Sequence, residues 1–123
     1  RVIKDFMIQG GGFSPGLETK KTGSPIQNEA DNGLKNSRGT ISMARRQLIH
    51  SATSQFFINL KDNSFLDYQS PAPQHYGYAV FGKIIEGMDT IDKIKKVPTT
   101  TVLPYENVPV SDVIMNRVFL VKK

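Results

Sequence analysis

Only one stretch of the chain has the period of a helix. Met88, Ile91, Ile94 and Val97 recur every three residues, Asp89 and Asp92 lie toward its start, and Lys93, Lys95 and Lys96 toward its end; Pro98 forbids continuation. Elsewhere the apolar residues come in short runs cut by glycine and proline, which are strand and loop signals. Such a chain has to build its core from sheets. Strands are predicted over residues 1–9, 39–44, 54–59, 78–85 and 112–121, with irregular connections over 10–36, 45–51 and 61–77. Five strands, long loops and one helix predict an antiparallel barrel or sandwich with a helical plug.

Two of these strands place an amide beside apolar side chains. In an extended strand alternate residues share a face, so Gln55 and Phe57 point one way while Ser54, Phe56 and Ile58 point the other. Met7 and Gln9 likewise share a face, with Phe6 and Ile8 opposite, before Gly10, Gly11 and Gly12 end the strand and allow close approach. If the two strands are neighbours, they build a shallow apolar pocket edged by hydrogen-bonding groups. Arg1, Gln9 and Gln55 are its candidate polar groups, and Phe6, Met7 and Phe57 its walls.

The familiar chemistries do not fit. Gly11 and Gly16 have the separation of a phosphate loop, but Leu17 stands where lysine must reach the phosphates; Gly10 and Gly12 would need a third glycine where Pro15 stands to make a dinucleotide turn. His50 and His75 lie in loops without cysteine or a local carboxylate at ligand spacing, so both are read as surface histidines and no metal or other cofactor is expected. Glu29 and Asp31 are read as turn and cap residues. The net charge of +5 is spread over the chain without an aromatic-interleaved basic motif, which argues against nucleic acid as a partner. No apolar run is long enough to span a membrane, and no membrane partner is expected. At 123 residues with 38% apolar content, one domain covering 1–123 is expected. A site without an evident acid, base or metal suits a reaction that breaks no covalent bond.

Five stretches stand out together: Arg-Val-Ile-x-x-Phe-Met-Ile-Gln-Gly-Gly-Gly at 1–12, Asn-Glu-Ala-Asp-Asn-Gly-Leu at 28–34, Arg-Gly-Thr-Ile-Ser-Met-Ala at 38–44, Ser-Ala-Thr-Ser-Gln-Phe-Phe-Ile-Asn at 51–59 and Val-Phe-Gly-Lys-Ile-Ile-Glu-Gly-Met-Asp at 80–89. They run in order over essentially the whole chain, and with them the chain resembles a bacterial cyclophilin. The stretches at 97–99 and 104–109 look more like the periplasmic branch than the cytoplasmic one, so a periplasmic location is expected, with the cytoplasm as the alternative.

The resemblance implies a peptidyl-prolyl cis-trans isomerase with a closed antiparallel barrel of eight strands capped by two helices. The chain starts inside the family's Phe-His-Arg-Val motif, so an N-terminal truncation removing the first strands and first helix is expected. By motif position, Arg1 resembles the catalytic arginine, Gln9 the amide that steadies its guanidinium, and Gln55 a second polar contact with substrate. Phe6, Met7, Phe57 and Leu66 resemble the pocket for the proline ring, and Ala44 and Arg45 line the neighbouring groove. Phe65 stands where tryptophan is common and Tyr78 where histidine is common; both belong to the implied substrate surface. Loss of the indole N–H at position 65 implies weak cyclosporin binding. The implied partners are proline-containing polypeptides, and a monomer is expected. A non-catalytic module that merely holds proline-containing loops is the competing reading; a lipocalin-like carrier is opposed by the polar Gln9 and Gln55.

Overall fold

The computed structural model describes residues 1–122. Its centre is a five-stranded antiparallel sheet in the order β1 (Val2–Ile3), β2 (Met7–Gly10), β6 (Phe56–Asn59), β5 (Thr40–Met43) and β7 (Val80–Lys83). Two hairpins lie outside it: β3 (Phe13–Ser14) with β4 (Glu18–Thr19), and β8 (Thr99–Val102) with β9 (Tyr105–Pro109). The fold is mainly β, with one α-helix, α1 (Met88–Ile94), among the described residues.

The strand expected over 54–59 is present as β6, Phe56–Asn59, and it is central. Phe57, Ile58 and Asn59 are all buried, because β2 pairs with one edge of the strand and β5 with the other. On one face Met7, Phe57 and Leu66 form a core cluster against which Ile3, Phe6, Ala44 and Tyr78 pack. Full burial of such side chains contributes about 1.5–3 kcal/mol each, so this cluster anchors the sheet.

Several expectations need correction. Residues 1–9 are not one strand but two, joined by a tight turn in which Asp5 has φ 61° and the Phe6 N–H donates to Ile3 O at 3.1 Å. The turn takes Phe6 out of the alternation and onto the side of Met7. The sheet does not close: β1 and β7 are its two edges among the described residues, and no barrel forms. Residues 112–121 form no strand, since a strand exists only through a paired neighbour and none lies alongside them here. Ile114, Val118 and Leu120 are consequently exposed.

Helix α1 is also about a turn shorter than its apolar spacing predicts. Pro98 lacks an N–H and disfavours helical geometry at the residue before it, so regular helix stops at Ile94 and the chain leaves through a tight turn, Val97 N–H to Ile94 O at 3.1 Å. Its apolar residues are only half-buried, so it flanks the sheet rather than plugging it. Arg38 ties the helix down, with Nη2 donating to both carboxylate oxygens of Asp92 at 3.0 and 3.2 Å and Nη1 to Leu60 O at 3.1 Å.

The hydrogen bond from Arg38, followed by the nearby charges of Arg38 and Lys95, holds the Asp92 carboxyl below the usual carboxylate range. A depressed value stabilises the fold where the group is ionised in both states and stops doing so as acid protonates it. Asp92→Asn is therefore expected to lower the melting temperature slightly at neutral pH. The gap should begin to close below about pH 4, the ordinary aspartate value, and vanish in stronger acid. Thermal denaturation of both proteins over that range checks this; a gap that persists in acid would mean that the ion pair is not its source.

Candidate active site

The register of the sheet brings the expected site residues into one row. Gln9 lies opposite Phe57 across β2 and β6, and Ser42 lies opposite Phe57 across β5 and β6. Continuing the β1 to β2 register places Arg1 opposite Gln9, where the two backbones exchange hydrogen bonds: Gln9 N–H to Arg1 O at 2.8 Å and the Arg1 amino group to Gln9 O at 3.0 Å. Residues directly opposite one another share a face, so Arg1, Gln9 and Phe57 point to the same side of the sheet.

Two amides edge this row. Gln9 Nε2 donates to Gln55 Oε1 at 2.8 Å, which leaves Gln9 Oε1 free to accept and Gln55 Nε2 free to donate. Gly12 makes room for the pair: a Cβ there would lie 2.7 Å from Gln55 Cδ, so any larger residue would displace the Gln55 side chain. Gln55 is fixed at its backbone too, its carbonyl accepting from Ala44 N–H at 3.0 Å. The guanidinium of Arg1 makes no hydrogen bond or ion pair among the described residues. The brace from Gln9 in this structure is thus through the backbone.

Met7, Phe57 and Leu66 form the floor. Phe6 stacks on Phe65 with ring centroids 5.7 Å apart, which makes one rim; Phe65 itself is 62% exposed. Tyr78 stands edge-on to Phe57 at 5.7 Å and carries the Arg45 guanidinium 4.7 Å above its ring, which makes the other. A cavity of about 590 Å³ opens beside this floor rather than over it: Phe65, Tyr78 and Arg45 are among its walls, whereas Met7, Gln9 and Phe57 are not. All eleven residues singled out from the sequence lie in or beside this one region.

What sequence reasoning missed lies beneath them. Asn36, Ser42, Asn59 and Asn63 are at most 1% exposed and form one hydrogen-bonded network. Asn36 Oδ1 accepts from Ser42 Oγ at 2.6 Å and Asn59 Nδ2 at 3.1 Å, while its Nδ2 donates to Leu66 O at 3.2 Å and Tyr78 O at 3.3 Å. Asn63 Nδ2 donates to Phe6 O at 3.0 Å and Asn59 Oδ1 at 2.9 Å. Four buried polar side chains therefore hold the carbonyls of three pocket residues. The available signal was three asparagines beside strands or tight turns rather than in obvious linkers. His50, read as a plain surface residue, accepts the Asn28 N–H on Nδ1 at 3.0 Å and so ties two site-flanking loops together.

One face of the antiparallel sheet thus offers an apolar floor, paired amides and an arginine in register. The family model for cyclophilin-type peptidyl-prolyl cis-trans isomerases matches residues 1–118, and the chain belongs to that family. Among characterised proteins it is 55% identical over 118 residues to peptidyl-prolyl cis-trans isomerase B of Escherichia coli K12, covering 96% of this chain and 72% of that one. It is 56% identical to peptidyl-prolyl cis-trans isomerase cyp18 of Streptomyces antibioticus, over 94% of this chain and 69% of the relative. Against peptidyl-prolyl cis-trans isomerase A of Dickeya dadantii it is 54% identical over its whole length, which spans 63% of that protein.

Proposed function

We propose that the chain accelerates rotation about X-Pro bonds of polypeptides, with Arg1 stabilising the twisted amide while the floor of Met7, Phe57 and Leu66 takes the proline ring. Resonance holds an X-Pro bond planar against a barrier of roughly 18–20 kcal/mol. As the bond twists, resonance breaks and the proline nitrogen regains a lone pair. A guanidinium that donates to that nitrogen favours the twisted form over either planar one, which is catalysis by differential binding. The apolar floor excludes water and strengthens that hydrogen bond. No proton is transferred.

The observation that carries this reading is the register row of Arg1, Gln9 and Phe57, edged by the Gln9 to Gln55 bond. The competing module that only holds proline-containing loops would use the same floor of Met7, Phe57 and Leu66 and would not need the Arg1 guanidinium. Exchange spectroscopy on a proline peptide separates the two. An isomerase produces exchange cross-peaks between cis and trans signals at catalytic amounts, whereas a binder shifts peaks without coupling them. Absence of exchange would leave the module as the better account.

Two finer readings rest on the same footing. Alternation of the exposed Ile114, Val118 and Leu120 supports a strand that would complete a closed barrel when paired, and slow amide exchange across 112–121 in the full chain tests it. The residues at 97–99 and 104–109 support a periplasmic address, which cell fractionation decides against the cytoplasm.

Phe65 supports weak cyclosporin binding, because a phenyl ring at this exposed rim offers no N–H donor. Phe65→Trp is expected to tighten cyclosporin about five- to tenfold, the worth of one ordinary hydrogen bond. A titration followed by fluorescence of the new tryptophan checks it; unchanged affinity would show that this rim does not meet the ligand.

A further inference from the structure

Beside the proline floor, the groove of about 590 Å³ has a wall whose charge the isomerase reading does not use. Arg45 is pinned there: Nε donates to Gly77 O at 3.0 Å, and Nη1 to Arg46 O at 2.9 Å and Gln47 O at 3.3 Å. Its guanidinium carbon stands over the Tyr78 ring, 4.7 Å from the centroid. Those bonds consume three of five N–H groups, so both protons on Nη2 lack a protein acceptor among the described residues. No carboxylate forms an ion pair with Arg45 there either. A guanidinium held by carbonyls and a ring, charged but not neutralised, has already lost the freedom that an anion would otherwise have to remove.

We propose that this groove selects substrates with an aspartate or glutamate close to the proline, whose carboxylate is read by the free edge of Arg45. The inference rests on the isomerase reading above and adds the class of polypeptide it acts on. Tyr78 sets the distance. The same ring makes a T-shaped contact with Phe57 and carries Arg45 over its face, so the charge stands one aromatic ring from the proline floor. An extended peptide advances about 3.3–3.6 Å per residue, which brings a side chain one or two positions from the proline over the groove. Arg46, exposed at the same wall, adds a second positive charge. Asp67 also lines the groove and keeps its negative charge, but its Oδ1 is turned to Asn36, accepting from the backbone N–H at 2.6 Å and Nδ2 at 3.1 Å, it forms no ion pair with Arg45, and two arginines outweigh it.

The backbone that makes this wall depends on Gly77. Its φ is +78°, and a Cβ there would lie 2.6 Å from Leu66 O and 2.7 Å from the Asp67 carbonyl carbon. Glycine lets the chain pass close enough for Gly77 O to accept from both Arg45 Nε and Asn28 Nδ2, which fixes the guanidinium and the adjoining loop together.

The test uses the full chain and short proline peptides carrying Glu, Gln or Lys at each of the two positions on either side of the proline. At one or more positions kcat/KM for Glu is expected to exceed that for Gln by about three- to tenfold, the range of a partly screened charge-assisted hydrogen bond. That ratio should fall toward one in Arg45→Gln. Independently of any variant, about 0.5 M salt should shrink the ratio in the parent protein. Equal rates for Glu and Gln at all four positions, a preference for Lys, or a Glu advantage that survives both Arg45→Gln and salt would overturn the proposal. If even the Gln peptides are not isomerised, the isomerase reading fails instead. The ratio of Gln to Glu dissociation constants from NMR titration then decides the groove's preference by the same criterion.

Discussion

Replacing Arg1 with alanine in the full chain is expected to lower kcat/KM for a proline peptide about 100- to 1000-fold, the usual cost of removing one donor aimed at charge that develops in a transition state. Binding of the planar peptide should be largely retained, because the floor that takes the ring is built by Met7, Phe57 and Leu66 and not by Arg1. The loss therefore falls on kcat rather than on the dissociation constant. Arg1→Lys should also be impaired: an ammonium carries the charge but lacks the planar fork that can donate to the proline nitrogen and to Gln9 Oε1 together. Line-shape analysis of cis and trans peptide signals measures both quantities in one sample. A mutant that turned over peptide at the parent rate would remove Arg1 from the mechanism and return weight to the binding-module reading.

The role of Arg1 comes from the likeness to the cyclophilin motif, whereas the wall it faces is legible because its side chains obey the two-residue period. Met7 with Gln9, and Gln55 with Phe57, were assigned to common faces by alternation, and antiparallel pairing of β2 with β6 joined them. Alternation failed where the backbone turns. Phe6 was placed opposite Met7 by counting, yet the turn with Asp5 at positive φ brings it round to the pocket side. The β8 to β9 hairpin is absent from the predicted strands, although Thr99, Thr100, Thr101 and Val102 are β-branched. The opposite error occurred at 112–121, where alternation was present and a partner was not. Pattern specifies which face a strand would bury, but only a neighbour supplies its hydrogen bonds.

The buried asparagines were illegible for a different reason: asparagine is mostly exposed, so counting apolar residues passes over it. Asn36→Ala in the full chain is expected to destabilise the fold by about 3 kcal/mol or more. Each buried polar group stripped of its partner costs roughly 1–3 kcal/mol, and this change takes the one partner from Ser42 Oγ and from Tyr78 O and weakens three further groups that keep another. Ser42 Oγ would lose its acceptor, Asn59 Nδ2 one of its two, and the Leu66 and Tyr78 carbonyls and Asp67 Oδ1 a donor each. Asn32 provides the contrast. Its Nδ2 donates to Val80 O at 3.0 Å and its Oδ1 accepts from Leu34 N–H at 2.9 Å, but it is exposed, so water replaces what Asn32→Ala removes, and a loss of about 1 kcal/mol is expected. Urea denaturation gives both values, and the Asn36 protein that remains folded should also show reduced kcat/KM because two pocket carbonyls have lost their tether. If the two substitutions cost the same, burial does not set the worth of these amides, and the pocket is held in shape by its apolar floor alone.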